Sequence, residues 1–280
     1  MKLRLLSGVL VFALSLRSSA HDFWIEPSSH AIAPNEVLRV TLKVGDHALG
    51  DSVPRSESRI VDFSARSGGA TLPIVGREGF EPAGFVRLES SGMCLLGYRS
   101  NHAAVELEPA KFADYLREKG LEHVLAARSA AGESEQRVRE IYSRCAKSLV
   151  RVGQGPTTGF DSMLGHPLEL IPERNPSDLH WTEDQGVRVL EMLPVRLYYD
   201  GRPLANALVG ALDLDAEPPT DGTHQAPIEV RTDAEGRARL RLPHGGRWLL
   251  AAVHLVRPSD RASADWESFW ASLTFAVPPR

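Results

Sequence analysis

Between residues 38 and 44 the chain alternates strictly, with Leu38, Val40, Leu42 and Val44 separated by Arg39, Thr41 and Lys43. A period of two marks a strand with one buried and one wet face. The following Gly45-Asp46-His47 predicts a loop. Apolar runs at 59–64, 84–89 and 93–98, separated by Gly, Pro and Ser, extend the pattern into an antiparallel sandwich. At Pro109 the period lengthens. Phe112, Tyr115 and Leu116 make one helical stripe, opened by Pro109 and closed at Gly120, and Val138, Ile141, Tyr142, Cys145 and Leu149 fit a second. A helical insertion over about 109–150 is therefore expected in the first domain.

Short strands return beyond Trp181, at 195–199, 204–214, 237–242, 248–256 and 268–277, with turns at Asp200-Gly201 and Asp233-Ala234-Glu235-Gly236 and an irregular loop over 217–227. The expected fold is mainly β, with two sandwiches of immunoglobulin-like or transthyretin-like kind over 21–180 and 181–280.

The amino end has a different grammar. Lys2 and Arg4 precede an apolar stretch over 5–16, and Ser18, Ser19 and Ala20 offer small residues for cleavage, which predicts a secretory signal over 1–20 and a mature chain starting at His21. An apolar helix of that length rises only about 18 Å, short of the roughly 30 Å hydrocarbon core, so the mature chain is expected to be soluble, periplasmic and not membrane-spanning. With 32 basic and 36 acidic residues the formal charge is −4, which gives no general attraction to a phosphate backbone, so nucleic acid is not an expected partner. The two cysteines, Cys94 and Cys145, would meet an oxidising compartment, where they form either one bridge or two buried thiols.

Cleavage before His21 would put a free α-amine and an imidazole on one residue, able to chelate one metal through N and Nδ1. An α-amine loses its proton near pH 7.7–8.0, so a transition metal can displace it at modest cost. Nitrogen donors suit nickel, cobalt, copper and zinc. One residue supplies two ligands. His47, in the loop after the alternating strand, and His254, in the penultimate strand, are the candidates to complete the site. Either has a plainer reading as a packed histidine. No HExxH, CxxC, GxSxG, Walker loop or GxGxxG occurs, and the Asp-bearing turns at 213–215 and 233–236 read as hairpin turns before calcium sites.

Several segments together resemble an exported bacterial family of formally unknown function linked to nickel and cobalt uptake. They are His21-Asp22-Phe23-Trp24-Ile25-Glu26-Pro27, Val44-Gly45-Asp46-His47, Tyr142-Ser143-Arg144-Cys145-Ala146-Lys147-Ser148-Leu149, Gly165-His166-Pro167-Leu168-Glu169 and the aromatic tail from Trp266 to Phe275. The resemblance implies a periplasmic component that binds Ni²⁺ or Co²⁺ and passes it to a membrane transporter, without bond chemistry, and it brings no ligand list. Cys145 stands where the family pattern carries an aromatic residue, so a Cys94–Cys145 bridge would belong to this branch. Two other classes share the observations: a copper monooxygenase with a histidine brace, and a metal-free sandwich that binds carbohydrate or protein.

Overall fold

The computed structural model describes residues 21–46, 48–217 and 226–279; the expected signal, His47 and most of the 217–227 loop lie outside them. The described chain is mainly β, with two short α-helices. Its backbone is a ten-stranded sheet, described by strands Ile60–Ser67, Gly92–Ser100, Val138–Val152, Trp266–Val277, Gly246–Val256 and Leu208–Asp213 in that spatial order, with shorter strands at both margins. Val138–Val152 and Trp266–Val277 lie side by side in parallel, so the sheet joins the two halves of the sequence.

Smaller layers cover both faces. On one, a four-stranded sheet built on Asp22–Pro27 and Val37–Asp46 drives Ile25, Leu38, Val40 and Leu42 against Phe63, Ala65, Leu96, Ala146 and Val150. The alternation in the sequence is the alternation of burial along Val37–Asp46, where Leu38, Val40 and Leu42 are all inside. On the opposite face, Leu168–Pro172, Leu193–Tyr199 and Arg237–Leu240 press Leu170, Val195, Leu197 and Leu240 onto Leu149, Leu250, Leu273 and Phe275. Each such fully buried side chain contributes about 1.5–3 kcal/mol of apolar transfer, which makes these two interfaces the main source of stability.

The helical insertion is shorter than its sequence pattern. Helix α1 (Pro109–Glu118) starts on proline and ends before Gly120, whose φ of +65° suits a residue without a side chain. Helix α2 (Glu122–Ala130) follows, and together they pack Phe112, Tyr115, Leu116 and Val124 onto Val138, Val253, Leu255, Trp266 and Trp270. The second expected stripe is not a helix. Val138–Val152 is a fifteen-residue strand. It lies at the middle of the sheet with both faces covered, so its apolar residues fall on consecutive as well as alternate positions and mimic a helical period.

Cys94 and Cys145 are free thiols, both buried. Cys94 pairs with Val150 and shares its face, whereas Cys145, an odd number of residues away on the same strand, points to the other. The bridge is ruled out by the thickness of the sheet. Burial pushes the two thiols up to about 12 and about 11.

Candidate metal centre

His21 enters the first strand at its outer end. The register Asp22↔Gly45 sets it across from Asp46, and His21 Nδ1 lies 2.7 Å from Asp46 Oδ2. Both side chains are 34% exposed, enough for an ion to reach them from solvent. The hairpin that carries Asp46 closes tightly. Gly45 and Gly50 face one another, and a Cβ on Gly45 would come within 1.9 Å of the Leu49 carbonyl oxygen, while one on Gly50 would meet the Trp24 indole at 2.3 Å. Glycine at 45 lets the two strands of the hairpin close beside Asp46, and glycine at 50 lets the Trp24 indole lie on it.

Below, the free edge of the first strand is held by side chains of the central sheet. Arg144 Nη1 donates to the His21 carbonyl oxygen at 2.8 Å, and Thr274 Oγ1 donates to that of Ile25 at 2.7 Å. The Arg144 guanidinium stands over the rings of Trp270 at 4.6 Å, Tyr142 at 5.1 Å and Phe23 at 5.9 Å, an aromatic cage for a planar cation. Asp22 is buried beside Lys119, whose Nζ lies 3.4 Å from Oδ1. Burial raises the Asp22 carboxyl, against the opposing pull of Lys119 and Arg144. Of the polar residues at alternate positions on this face of the last strand, Thr274 pairs the exposed backbone of the first strand, which an apolar side chain there would leave unpaired.

His254 does not join this group. It pairs with Phe269, whereas its neighbour Val253 pairs with Trp270, the residue that Arg144 covers. His254 therefore projects from the opposite face, packed on Tyr199 at 4.4 Å between ring centroids. Adjacent residues of a strand point to opposite sides, so the whole sheet separates it from His21. Burial lowers its imidazole to about 4, which keeps it neutral and apolar in character. His47 lies outside the described residues, next in sequence to Asp46. Among the described residues no three His, Cys, Asp or Glu side chains converge in a metal-holding group.

Other expected features resolve as packing. Asp213 pairs with His244 at 2.9 Å, Asp215 with Arg247 at 2.6 Å, and Asp233 accepts the backbone N–H groups of Glu235 and Arg237 within its own turn. Trp266, Phe269 and Trp270 are buried, so they offer no platform for a sugar.

A second polar centre went unread in the sequence. On the face away from His21, Lys147 is 1% exposed and its Nζ lies 3.0 Å from Glu169 Oε2. Glu169 also accepts the backbone N–H groups of Leu164, Gly165 and His166 at 2.7 to 3.2 Å, so the loop before it folds around its carboxylate. Burial pushes the Glu169 carboxyl up, but the Lys147 charge and the Leu164 N–H outweigh it and leave it below its ordinary value. Burial pulls Lys147 down, with Glu169 opposing. His166 is 5% exposed with neither ring nitrogen hydrogen-bonded, and burial drives it to about 4. The available signal was a lysine inside the apolar run from Cys145 to Val150, which needs a buried carboxylate somewhere.

The profile of a protein family described as Domain of unknown function (DUF4198) matches residues 18–256. The chain belongs to this family. Its description names no ligand and no reaction. His21, Asp46, Arg144, Lys147 and Glu169 all fall within the DUF4198 match, while the last strand, Trp266–Val277, lies beyond it. No curated protein matches the chain.

Proposed function

We propose that this DUF4198 protein is an exported metal-binding protein in which removal of residues 1–20 frees the α-amine of His21. That amine and His21 Nδ1 then hold one divalent ion, with the Asp46 carboxylate and the His47 imidazole as further donors. The observation that carries this reading is the contact between His21 Nδ1 and Asp46 Oδ2 at a solvent-reachable strand end, with the His21 backbone fixed from below by Arg144. Nδ1 and a carboxylate oxygen now lie at hydrogen-bond distance. An ion at about 2.1 Å from each would fit between them after the two groups part by roughly 0.3–0.7 Å.

Three nitrogens and one oxygen suit the later first-row metals, and the family resemblance favours nickel or cobalt, with copper and zinc as competitors. The ion is cargo in this reading. Binding in the periplasm and release to a membrane uptake transporter require no bond chemistry from the protein. No helix of the described residues is long and apolar enough to cross a membrane, as a carrier between ion and transporter needs none.

Isothermal titration of the processed protein with Ni²⁺, Co²⁺, Cu²⁺ and Zn²⁺ tests this. One-to-one binding is expected, lost when a single extra residue precedes His21, weakened about tenfold or more by Asp46→Asn and unchanged by His254→Gln. Equal affinity in the extended protein would remove the α-amine from the site and overturn the reading.

A further inference from the structure

The face of the central sheet beneath the first strand and α1 holds a carboxylate with no ion-pair partner among the described residues. Glu140 is 3% exposed. Ser268 Oγ donates a short hydrogen bond to its Oε1, and the Tyr115 hydroxyl of α1 donates to the same oxygen at 3.4 Å. Ser268 Oγ in turn accepts the Trp270 indole N–H at 3.0 Å. The Trp270 ring stacks on Tyr115, with centroids 5.5 Å apart and planes 17° apart, and carries the Arg144 guanidinium that grips His21. A continuous set of contacts therefore runs from Glu140 through Ser268, Trp270 and Arg144 to the His21 carbonyl, and α1 closes on it through Tyr115.

The charged and titratable groups that face this seam are few. Its own strand supplies Arg144 and Tyr142, α1 supplies Tyr115, the residue that follows α1 supplies Lys119, the first strand supplies Asp22, and the last strand supplies the uncharged Ser268 and Trp270. Glu106 of the neighbouring strand pairs with Arg139 and so lies on the other face.

We propose that Glu140 is an internal proton site coupled to the His21 centre, so that a proton on Glu140 and a metal ion at His21 oppose each other. The proposal rests on the metal reading above and supplies its regulation. With Glu140 ionised, two hydroxyls and the indole point toward it along the seam, and a negative charge sits in the low-dielectric layer four residues along the strand from Arg144, which holds the His21 carbonyl. Protonation removes that charge and makes Oε1 a weaker acceptor, so the hydrogen bonds from Ser268 and Tyr115 loosen and the Trp270 indole N–H behind Ser268 feels the change. Burial pushes the carboxyl up to about 7, against the pull of the Ser268 hydroxyl and Arg144, which puts the change within the range of an exported protein's surroundings. Because linkage is reciprocal, the same coupling makes metal binding expel the proton.

Two-dimensional NMR of the indole N–H groups in metal-free protein reads the seam directly, with the Trp270 signal identified by its loss in Trp270→Phe. Between about pH 5.5 and 8.5 that signal is expected to titrate in the unaltered protein and to stay fixed in Glu140→Gln. Ni²⁺ affinity is then expected to fall about fivefold more from about pH 8 to about pH 6 in the unaltered protein than in Glu140→Gln. A Trp270 indole that titrates identically in both proteins, or not at all, overturns the proposal. A normal indole titration with equal pH dependence of Ni²⁺ affinity overturns the coupling. A normal titration with no Ni²⁺ binding at any pH refutes the metal reading and the coupling with it, and leaves Glu140 as a proton site alone.

Discussion

Replacing Glu169 by leucine strands a buried ammonium. Lys147 then keeps only the Ser162 carbonyl oxygen, at 3.4 Å, and three backbone N–H groups of the loop before Glu169 lose their acceptor. Breaking a buried pair from one side costs about 3–5 kcal/mol, because the surviving charge has neither water nor partner. The reverse change, Lys147→Met, is milder at about 2–3 kcal/mol, since Glu169 retains its backbone donors. Glu169→Gln falls between the unaltered protein and Glu169→Leu, because an amide oxygen still accepts from the loop. In the double variant Lys147→Met/Glu169→Leu no charge is left buried, so its cost is expected to undercut the sum of the singles by about 2 kcal/mol. Urea unfolding followed by circular dichroism measures all four, and Glu169→Leu should also melt about 10 °C lower, at roughly 2–4 °C per kcal/mol for a chain of this size. Additive singles, or a Glu169→Leu cost within about 1 kcal/mol of zero, would show that the pair does not hold the loop.

Two further outcomes follow from burial. The unfolded chain protonates His166 near 6.5 and the folded one only at about 4, so its neutral ring contributes stability that is whole above 6.5 and lost as pH falls toward 4. His166→Phe, which gives up no hydrogen bond, should flatten that loss by up to about 3 kcal/mol in pH-dependent urea unfolding, and an unchanged difference between the two proteins across this range would count against it. Cys94 and Cys145 should resist alkylation in the native state, react together on unfolding, and leave the melting temperature insensitive to reductant; rapid native labelling of either would contradict their burial.

What the sequence disclosed depended on how many faces of each element are wet. Val37–Asp46 showed its alternation because one face is covered and the other carries Arg39, Thr41 and Lys43. Val138–Val152 hid its own because both faces are covered, and so passed for a helix. His21 stood out as a candidate, since a histidine after a cleavage pattern is noticed without tertiary information. Its partner did not. Asp46 stood beside the more conspicuous His47, and only the strand register brings it to the ring. The placement of His254 had the same cause: a histidine among apolar alternate positions fixes its face within the strand but not which face the first strand covers. Lys147 and Glu169 lay in two separate motifs, and pairing them required knowing that Leu168–Pro172 packs beneath the central strand.

The position of the last strand has a consequence for how the molecule comes into being. Trp266–Val277 occupies an interior place in the ten-stranded sheet, flanked by Val138–Val152 and Gly246–Val256. A chain that emerges amino end first cannot zip that gap until nearly its whole length is free, so early segments wait with an open edge and an unfilled cavity. Such delay leaves Val138–Val152 without one of its two neighbours until late, and it makes Trp266–Val277 the keystone of assembly.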